Sequence, residues 1–340
     1  MVLSKSPFAP TVIVVGITGK QGGSVARALI ASSKPYRVIG LTRDTFRPSA
    51  KEWVDLGVEL RQVAIGVGNE VAVQRAFEGA DVLFAVTNFD EHGDKAREIA
   101  EGKLMVDAAL SSSIHLFIWS SLVSISTLSS GKYTKCEFFD AKAEVTSYLA
   151  KSGLPWANVP CGFYISNLIA SPYKFSRSEK DDDSYVLRLP VKGETKIPVL
   201  DPKKDYGEYV LKAIEGEGMG AGSEILSGKL TSFKDIVEGL SKATGKTITF
   251  QEVDGQTFLR DVLDLSHLGP IAFMVLDMFL FFNNFGCKTF HPVRIFNKFR
   301  FDVACADYGN KDVEASQAAA GIVPRTLEET LSTYEGPMIV

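Results

Sequence analysis

The segment that most restricts the fold is Val12-Ile13-Val14-Val15, which runs straight into Gly16-Ile17-Thr18-Gly19-Lys20-Gln21-Gly22-Gly23-Ser24 and then Val25-Ala26-Arg27-Ala28-Leu29-Ile30. The β-branched run reads as a buried strand, the glycines as a turn and the alanine-rich stretch as a helix start. That order is the head of a βαβ unit, and βαβ units build parallel sheets. Each glycine has its own task. Gly16 permits the tight turn, Gly19 lets backbone approach a pyrophosphate, and Gly22 lets helix and strand pack closely. Thr18, Lys20 and Gln21 complete the mouth of the helix, where unpaired amides face an anion. An ordinary glycine turn without a ligand is the competing reading.

The alternation of apolar runs with amphipathic stretches continues from Thr11 to about Val159, as repeated βαβ units require. It predicts strands at Thr11–Val15, Arg37–Thr42, Val58–Ala64, Val82–Val86, Leu116–Trp119 and Trp156–Val159. Helices are expected to begin near Gln21, Ser49, Glu70, Lys95 and Phe138. Right-handed crossovers would wind this sheet around its first strand and leave a crevice at the carboxyl ends of the strands. Beyond Cys161 the pattern becomes irregular. The polar run Ser176–Ser184, with Lys180-Asp181-Asp182-Asp183, reads as an exposed loop. Later helices are expected at Lys204–Glu215, Phe233–Thr244 and Ile271–Asn283, and strands at Ile197–Leu200, Glu224–Leu226 and Thr247–Glu252. The fold class is therefore α/β: a Rossmann-type doubly wound parallel sheet over residues 1–160, completed by later strands, with a smaller C-terminal α+β substrate or effector region over 161–340.

The second predicted strand ends in Gly40-Leu41-Thr42-Arg43. A carboxylate at its end would receive the ribose hydroxyls of NAD and repel a 2′-phosphate, whereas a planar guanidinium grips phosphate oxygens bidentately. Arg43 thus favours NADP(H) over NAD(H), with Thr42 beside it as a further cofactor-binding residue. Lys20 or Arg47 either adds charge or is simply solvated, and Asp44 weakens the local field. The glycine spacing is GxxGxxG rather than GxGxxG, which points toward the short-chain dehydrogenase/reductase superfamily.

Bulk properties remove several other classes. A chain of 340 residues, 45% of them hydrophobic, can bury a large core. With 37 basic against 41 acidic side chains the formal charge is −4, too mildly acidic to attract nucleic acid in bulk. The opening Met1–Pro7 lacks the apolar core of a secretion signal. The greasiest segment, Ile271–Phe282, is broken by Asp277 and falls short of the roughly 20 apolar residues that span a bilayer. Cys136, Cys161, Cys287 and Cys305 show no paired spacing, and His92, His115, His267 and His291 are equally dispersed, so free thiols and no metal centre are expected. A cytoplasmic or nuclear monomer or homodimer, without direct nucleic-acid or membrane contact, is the expectation.

The motifs taken in order resemble the NmrA-like family of atypical short-chain dehydrogenases/reductases, especially its fungal members. The matching residues are Gly16 to Val25, Leu41-Thr42-Arg43, Phe77-Glu78-Gly79-Ala80-Asp81, Phe139-Asp140-Ala141-Lys142-Ala143-Glu144-Val145, Phe163-Tyr164-Ile165-Ser166-Asn167 and Met278 to Gly286. The resemblance runs from about Thr11 to beyond Asn297. It implies a Rossmann domain with a small carboxyl-terminal region, serving either as a nucleotide-sensing regulator that binds proteins or as a reductase of aromatic and other hydrophobic compounds.

The resemblance also assigns roles. In typical short-chain reductases a tyrosine four residues before the lysine donates a proton, while the lysine holds the nicotinamide ribose and lowers the tyrosine pKa. Here Phe138 stands in the tyrosine position, so the usual acid is absent. Lys142 either binds the ribose or is a solvated helix lysine. Thr87, Asn88 and Phe89 are expected to line the nicotinamide side. Ser120 and Ser121 follow the fifth strand, as active-site serines or as caps. Pro160-Cys161-Gly162-Phe163-Tyr164 is expected against the nicotinamide, with Asn167 nearby. Tyr133 and Tyr164 are candidate replacement acids, or packing residues. Reduction of an activated carbon–carbon double bond asks less protonation of the protein.

Phe273, Phe279, Phe281, Phe282, Phe285 and Phe290, with Met274 and Met278, form a helix apolar nearly all round: core, interface or the wall of an apolar pocket. Two functions follow. One is an NADPH-dependent reductase of a hydrophobic small molecule, using Lys142 and the Ser120/Ser121 region. The other is a catalytically silent NADP(H)-sensing regulator that binds a partner protein, for which Phe138 is the supporting feature.

Overall fold

The computed structural model describes residues 6, 8–169, 175–178, 181–216, 221–262, 269–286 and 311–335. In chain order the first half reads β1 (Thr11–Val15), α1 (Lys20–Ala31), β2 (Arg37–Thr42), α2 (Pro48–Asp55), β3 (Glu59–Gln62), α3 (Glu70–Phe77), β4 (Val82–Ala85), α4 (Lys95–Ser111), β5 (Leu116–Trp119), α5 (Ile125–Leu128), α6 (Glu137–Leu149) and β6 (Trp156–Asn158). The second half adds β7 (Phe163–Tyr164), α7 (Ile165–Ile169), β8 (Ser176–Ser178), β9 (Asp181–Leu189), β10 (Lys196–Leu200), α8 (Tyr206–Glu215), β11 (Ala221–Glu224), β12 (Lys229–Ser232), α9 (Phe233–Thr244), β13 (Thr247–Glu252), α10 (Pro270–Phe285), α11 (Lys311–Ala319) and α12 (Leu327–Ser332).

The main sheet has seven strands in the order β11-β6-β5-β4-β1-β2-β3, and all its pairings are parallel. The order reverses direction at β1 and β4, so their carboxyl ends diverge and open a crevice. β1 is buried along its whole length, and its side chains alternate between two cores. Val12 and Val14 pack with Val25, Leu29 and Val210 on the face covered by α1 and α8, while Ile13 and Val15 pack with Val73, Met105 and Val145 on the face covered by α3, α4 and α6. Both α8 and β11 come from beyond residue 160. α8 lies against α1 at Gly207, whose amide donates to Ser24 Oγ at 2.8 Å, and where a Cβ would meet Ser24 O at 2.1 Å.

A third core gathers β7, β9, β10, α7, α9 and α10 into the smaller region. Within α10, Met278, Phe279, Phe281 and Phe282 are buried, whereas Ile271 and Phe273 are exposed. Packing thus accounts for most of the aromatic cluster; Phe290 lies outside the described residues. Among the described residues no helix is long and apolar enough to cross a membrane. No group of His, Cys, Asp and Glu among them is arranged to hold a metal ion. Cys136 and Cys161 are buried free thiols; Cys287, Cys305, His267 and His291 lie outside the described residues.

The expected loop at Ser176–Ser184 needs correction. β8 and β9 pair antiparallel through it, and β9 pairs in parallel with β13 from Ser184 to Leu189. The driving force is the alternation that follows the charged residues: Tyr185, Leu187 and Leu189 are buried in the third core, so the strand forms and carries its polar start along.

Candidate nucleotide site

At the head of the first crossover Gly16 has φ +66°, a left-handed backbone that glycine adopts without strain. Its carbonyl accepts from the Gly19 amide at 2.8 Å, closing the turn. A Cβ on Gly22 would lie 2.3 Å from Gly16 O and 2.8 Å from Val15 O, so only glycine permits this approach of α1 to β1. The residue at the helix N-cap is Gly19, which has no side chain with which to cap the first-turn amides. Those amides and the helix dipole offer an anion a seat. Gly19 and Lys20 are exposed there, with Thr18 and Gln21 partly so.

At the end of β2, Thr42 is buried and Arg43 is exposed. The Arg43 guanidinium pairs with the carboxylate of Glu91, from the short turn Phe89–Glu91 that follows β4. Glu91 was not foreseen from the sequence. It brings a carboxylate to the residue expected to meet a 2′-phosphate.

The other end of the crevice is drier. Lys142, on α6, is 8% exposed. Its Nζ donates to Thr87 Oγ1 at 2.7 Å and Thr87 O at 3.2 Å, and lies 2.9 Å from Glu98 Oε1. Thr87 Oγ1 donates in turn to Glu98 Oε1 at 2.6 Å. The ammonium lies 5.3 Å from the centre of the Trp119 ring, while Trp119 Nε1 donates to Lys142 O at 3.3 Å. Lys142 is therefore a seated cation rather than a solvated helix lysine. Glu98 is 0% exposed, and sequence reading missed it. Asn88 is exposed, and Phe89 is buried against Phe138, with ring centroids 5.9 Å apart. An aromatic pair thus stands at the position to which the sequence resemblance assigns the tyrosine of typical short-chain reductases.

The loop after β6 divides its side chains. Tyr164 accepts from Gln21 Nε2 at 2.6 Å, which ties the loop to the glycine turn, and Lys20 lies 5.5 Å from its ring centre. Burial pushes the Tyr164 hydroxyl well above its usual pKa, and the neighbouring Cys161 adds to the effect. The Cys161 thiol is pushed up to about 12 by burial, against hydrogen bonds from Tyr164, Gln21 and Ser227 and the Lys142 charge. Both groups keep their protons. Ser227 Oγ donates to Pro160 O at 2.8 Å and accepts from Gly162 N at 3.0 Å. Phe163 turns its ring toward Phe279, 6.2 Å away, in the third core.

The remaining candidates make other contacts. Ser120 and Ser121 are buried. The Ser120 hydroxyl is bonded to Tyr206, which donates to Val159 O at 2.7 Å. Tyr133 packs edge-on against Phe281 and Phe285 and accepts from Asn284. Asn167 is exposed on α7.

A doubly wound parallel sheet with a glycine turn at its first crossover defines a Rossmann-type α/β protein. More narrowly, residues 9–319 match the NmrA-like family, and the chain belongs to it. It is 29% identical over 261 residues to an NmrA-like family domain-containing oxidoreductase of Aspergillus campestris, an alignment covering 70% of this chain and 74% of that protein. Among solved structures it resembles NmrA, a negative transcriptional regulator in complex with NADP, at TM-score 0.73 and 20% identity over 96% of this chain and 95% of that one. It also resembles an Escherichia coli NADPH-dependent quinone oxidoreductase complexed with NADPH, at TM-score 0.69 and 20% identity, covering 95% and 98%.

Proposed function

We propose that this chain binds NADP(H) along the crevice and acts as an NADPH-dependent reductase of a hydrophobic, conjugated carbonyl compound. The observation that carries the cofactor reading is the uncapped start of α1, opened by Gly16, Gly19 and Gly22, with Arg43 one strand away. These residues fit a dinucleotide: first-turn amides and Lys20 for the pyrophosphate, Arg43 for the 2′-phosphate, and Lys142 with Thr87 for the nicotinamide ribose. The NADP and NADPH complexes of the two structural relatives support the same cofactor.

When bound, the reduced dinucleotide supplies a hydride. Lys142 supplies a fixed positive charge in dry surroundings, which favours negative charge developing on a substrate oxygen. Phe138 offers no proton and Tyr164 is a weak acid, so protonation falls to Lys142 or to solvent. That suits enones and quinones, where the electrons arriving at carbon are delocalised onto oxygen before a proton is needed. Phe89 and Phe138 suit an apolar ring. The test is NADPH oxidation, followed by loss of nicotinamide absorbance, across a panel of aromatic ketones, enones and quinones. Turnover of at least one enone or quinone is expected. Failure across the panel with NADPH demonstrably bound would sink the reductase reading.

A second reading rests on Phe138, whose packing on Phe89 replaces the usual acid by an aromatic contact. It makes the chain an NADP(H)-responsive regulator that presents a surface to a partner protein. Recovery of partners with NADP+, NADPH and no nucleotide would then differ, and equal recovery in all three would remove the reason to hold it.

A further inference from the structure

The buried triad of Lys142, Thr87 and Glu98 carries an inference beyond the binding of a nucleotide. An ammonium group has three protons to donate. Here they meet Thr87 O, Thr87 Oγ1 and Glu98 Oε1, at 3.2, 2.7 and 2.9 Å. The Thr87 hydroxyl gives its own proton to Glu98 Oε1, so it can only accept from Lys142. Two of the three contacts, the direct one and the one through the Thr87 hydroxyl, therefore end on one carboxylate, and that carboxylate is fully buried.

Two further observations show that Glu98 does more than fill space. Its second oxygen, Oε2, is buried with no hydrogen-bond partner among the described residues, an arrangement costly for a group kept only for packing. Moreover, the Trp119 ring lies beside the ammonium and Trp119 Nε1 fastens the backbone of the same lysine. The seat is thus fixed from the helix side, the ring side and the charge side. Without Glu98 the cation would be left with the Thr87 oxygens and the Trp119 ring as its named partners, in a largely buried site.

We propose that Glu98 is the positioning residue for Lys142, holding its ammonium group at the crevice so that one N–H, the one now donated to the carbonyl of Thr87, can turn to donate a hydrogen bond to a ribose hydroxyl of the bound nucleotide. The Thr87 carbonyl is the partner that yields because its contact is the longest of the three. This rests on the NADP(H) reading above and adds to it a carboxylate that replaces the missing tyrosine as the lysine's fixed neighbour.

The test is calorimetric titration of the full chain with NADPH, alongside thermal melting without nucleotide, for wild type, Glu98→Gln, Glu98→Asp, Lys142→Met and the Glu98→Gln/Lys142→Met pair. Glu98→Gln and Lys142→Met should each weaken NADPH binding about tenfold or more. The pair should bind no more weakly than Lys142→Met alone. Glu98→Asp keeps the charge one methylene shorter and should restore binding to within about threefold to fivefold of wild type. A merely structural Glu98 would lower the melting temperature and leave the NADPH dissociation constant alone. If Glu98→Gln does not fold, the aspartate variant and the neutral pair carry the comparison. Wild-type affinity in Glu98→Gln beside weak binding in Lys142→Met overturns the inference while leaving the cofactor reading intact. A wild-type chain that takes up no NADPH overturns both, and is recognised by its indifference to every variant.

Discussion

The two ends of the crevice each hold a cation paired with a carboxylate, yet they answer to different physics. Arg43 and Glu91 meet at the surface, with side chains 54% and 36% exposed, where water and salt reduce an ion pair to about 0–1 kcal/mol. Lys142 and Glu98 meet with 11% and 0% exposure. There the attraction is stronger and the penalty for losing one partner is large. The outer pair can open to admit a phosphate at little cost, whereas the inner pair is fixed before any ligand arrives. On the proposed reading, the Arg43 end of the crevice is therefore suited to discriminate between nucleotides and the Lys142 end to orient one.

That contrast can be broken most decisively at the inner pair. Lys142→Ala strands Glu98 in the interior and should lower unfolding free energy by about 3–5 kcal/mol in urea at neutral pH. Adding Glu98→Gln to that variant should recover most of the loss. Equal stability of the single and double variants would contradict a buried ion pair.

A carboxyl group at the edge of the main sheet supplies the control, because no cation among the described residues contributes to its shift. Glu224 on β11 has a buried Oε1 with no partner among the described residues, and Asn158 Nδ2 lies 3.5 Å from its Oε2. Burial raises its pKa from 4.5 to about 8, only partly offset by Asn158. The folded protein therefore holds a proton that the unfolded chain releases above about pH 4.5. Its stability contribution is full below that pH and is lost as pH rises through about 8, a decline on the order of a few kcal/mol. Glu224→Gln should flatten the fall in melting temperature between pH 5 and pH 9. An unchanged slope would remove Glu224 from the account.

Smaller effects are expected at the turn and the outer pair. Gly22→Ala places a methyl group against the Gly16 and Val15 carbonyls; it should cost about 1–3 kcal/mol in denaturant melts and abolish NADPH heat. Glu91→Gln frees Arg43 and should tighten NADP(H) by a few-fold, an effect that shrinks with added salt. Looser binding instead would mean that Glu91 orders the site rather than competing within it.

Much of this was legible in the sequence where the signal is local. β1, β2 and β5 begin and end where the apolar runs do, and α1, α3, α4 and α6 start within a residue of their expected positions. The glycine turn and Arg43 could be read because strand, turn and helix start are contiguous in the chain. The partners of the two cations were not legible, since Glu91 and Glu98 reach the crevice from the segment after β4, far in sequence from Arg43 and Lys142. One signal for Glu98 existed. It shares the buried stripe of α4 with Met105 and Ala109, so a carboxylate occupied a core position of an amphipathic helix. β8 and the start of β9 were hidden by their charges, because the alternation that commits β9 begins only at Tyr185. β11 ends earlier than expected, at Glu224, and its pairing with β6 is irregular between Ala221 and Ser223.

The most direct measurement is calorimetric titration of wild type and Arg43→Ala with NADP+, NADPH, NAD+ and NADH. Saturable heat with a preference for the phosphorylated nucleotides is expected in wild type, with that preference reduced about tenfold or more in Arg43→Ala. No heat with any nucleotide, or the same preference in both proteins, would contradict a crevice built for NADP(H).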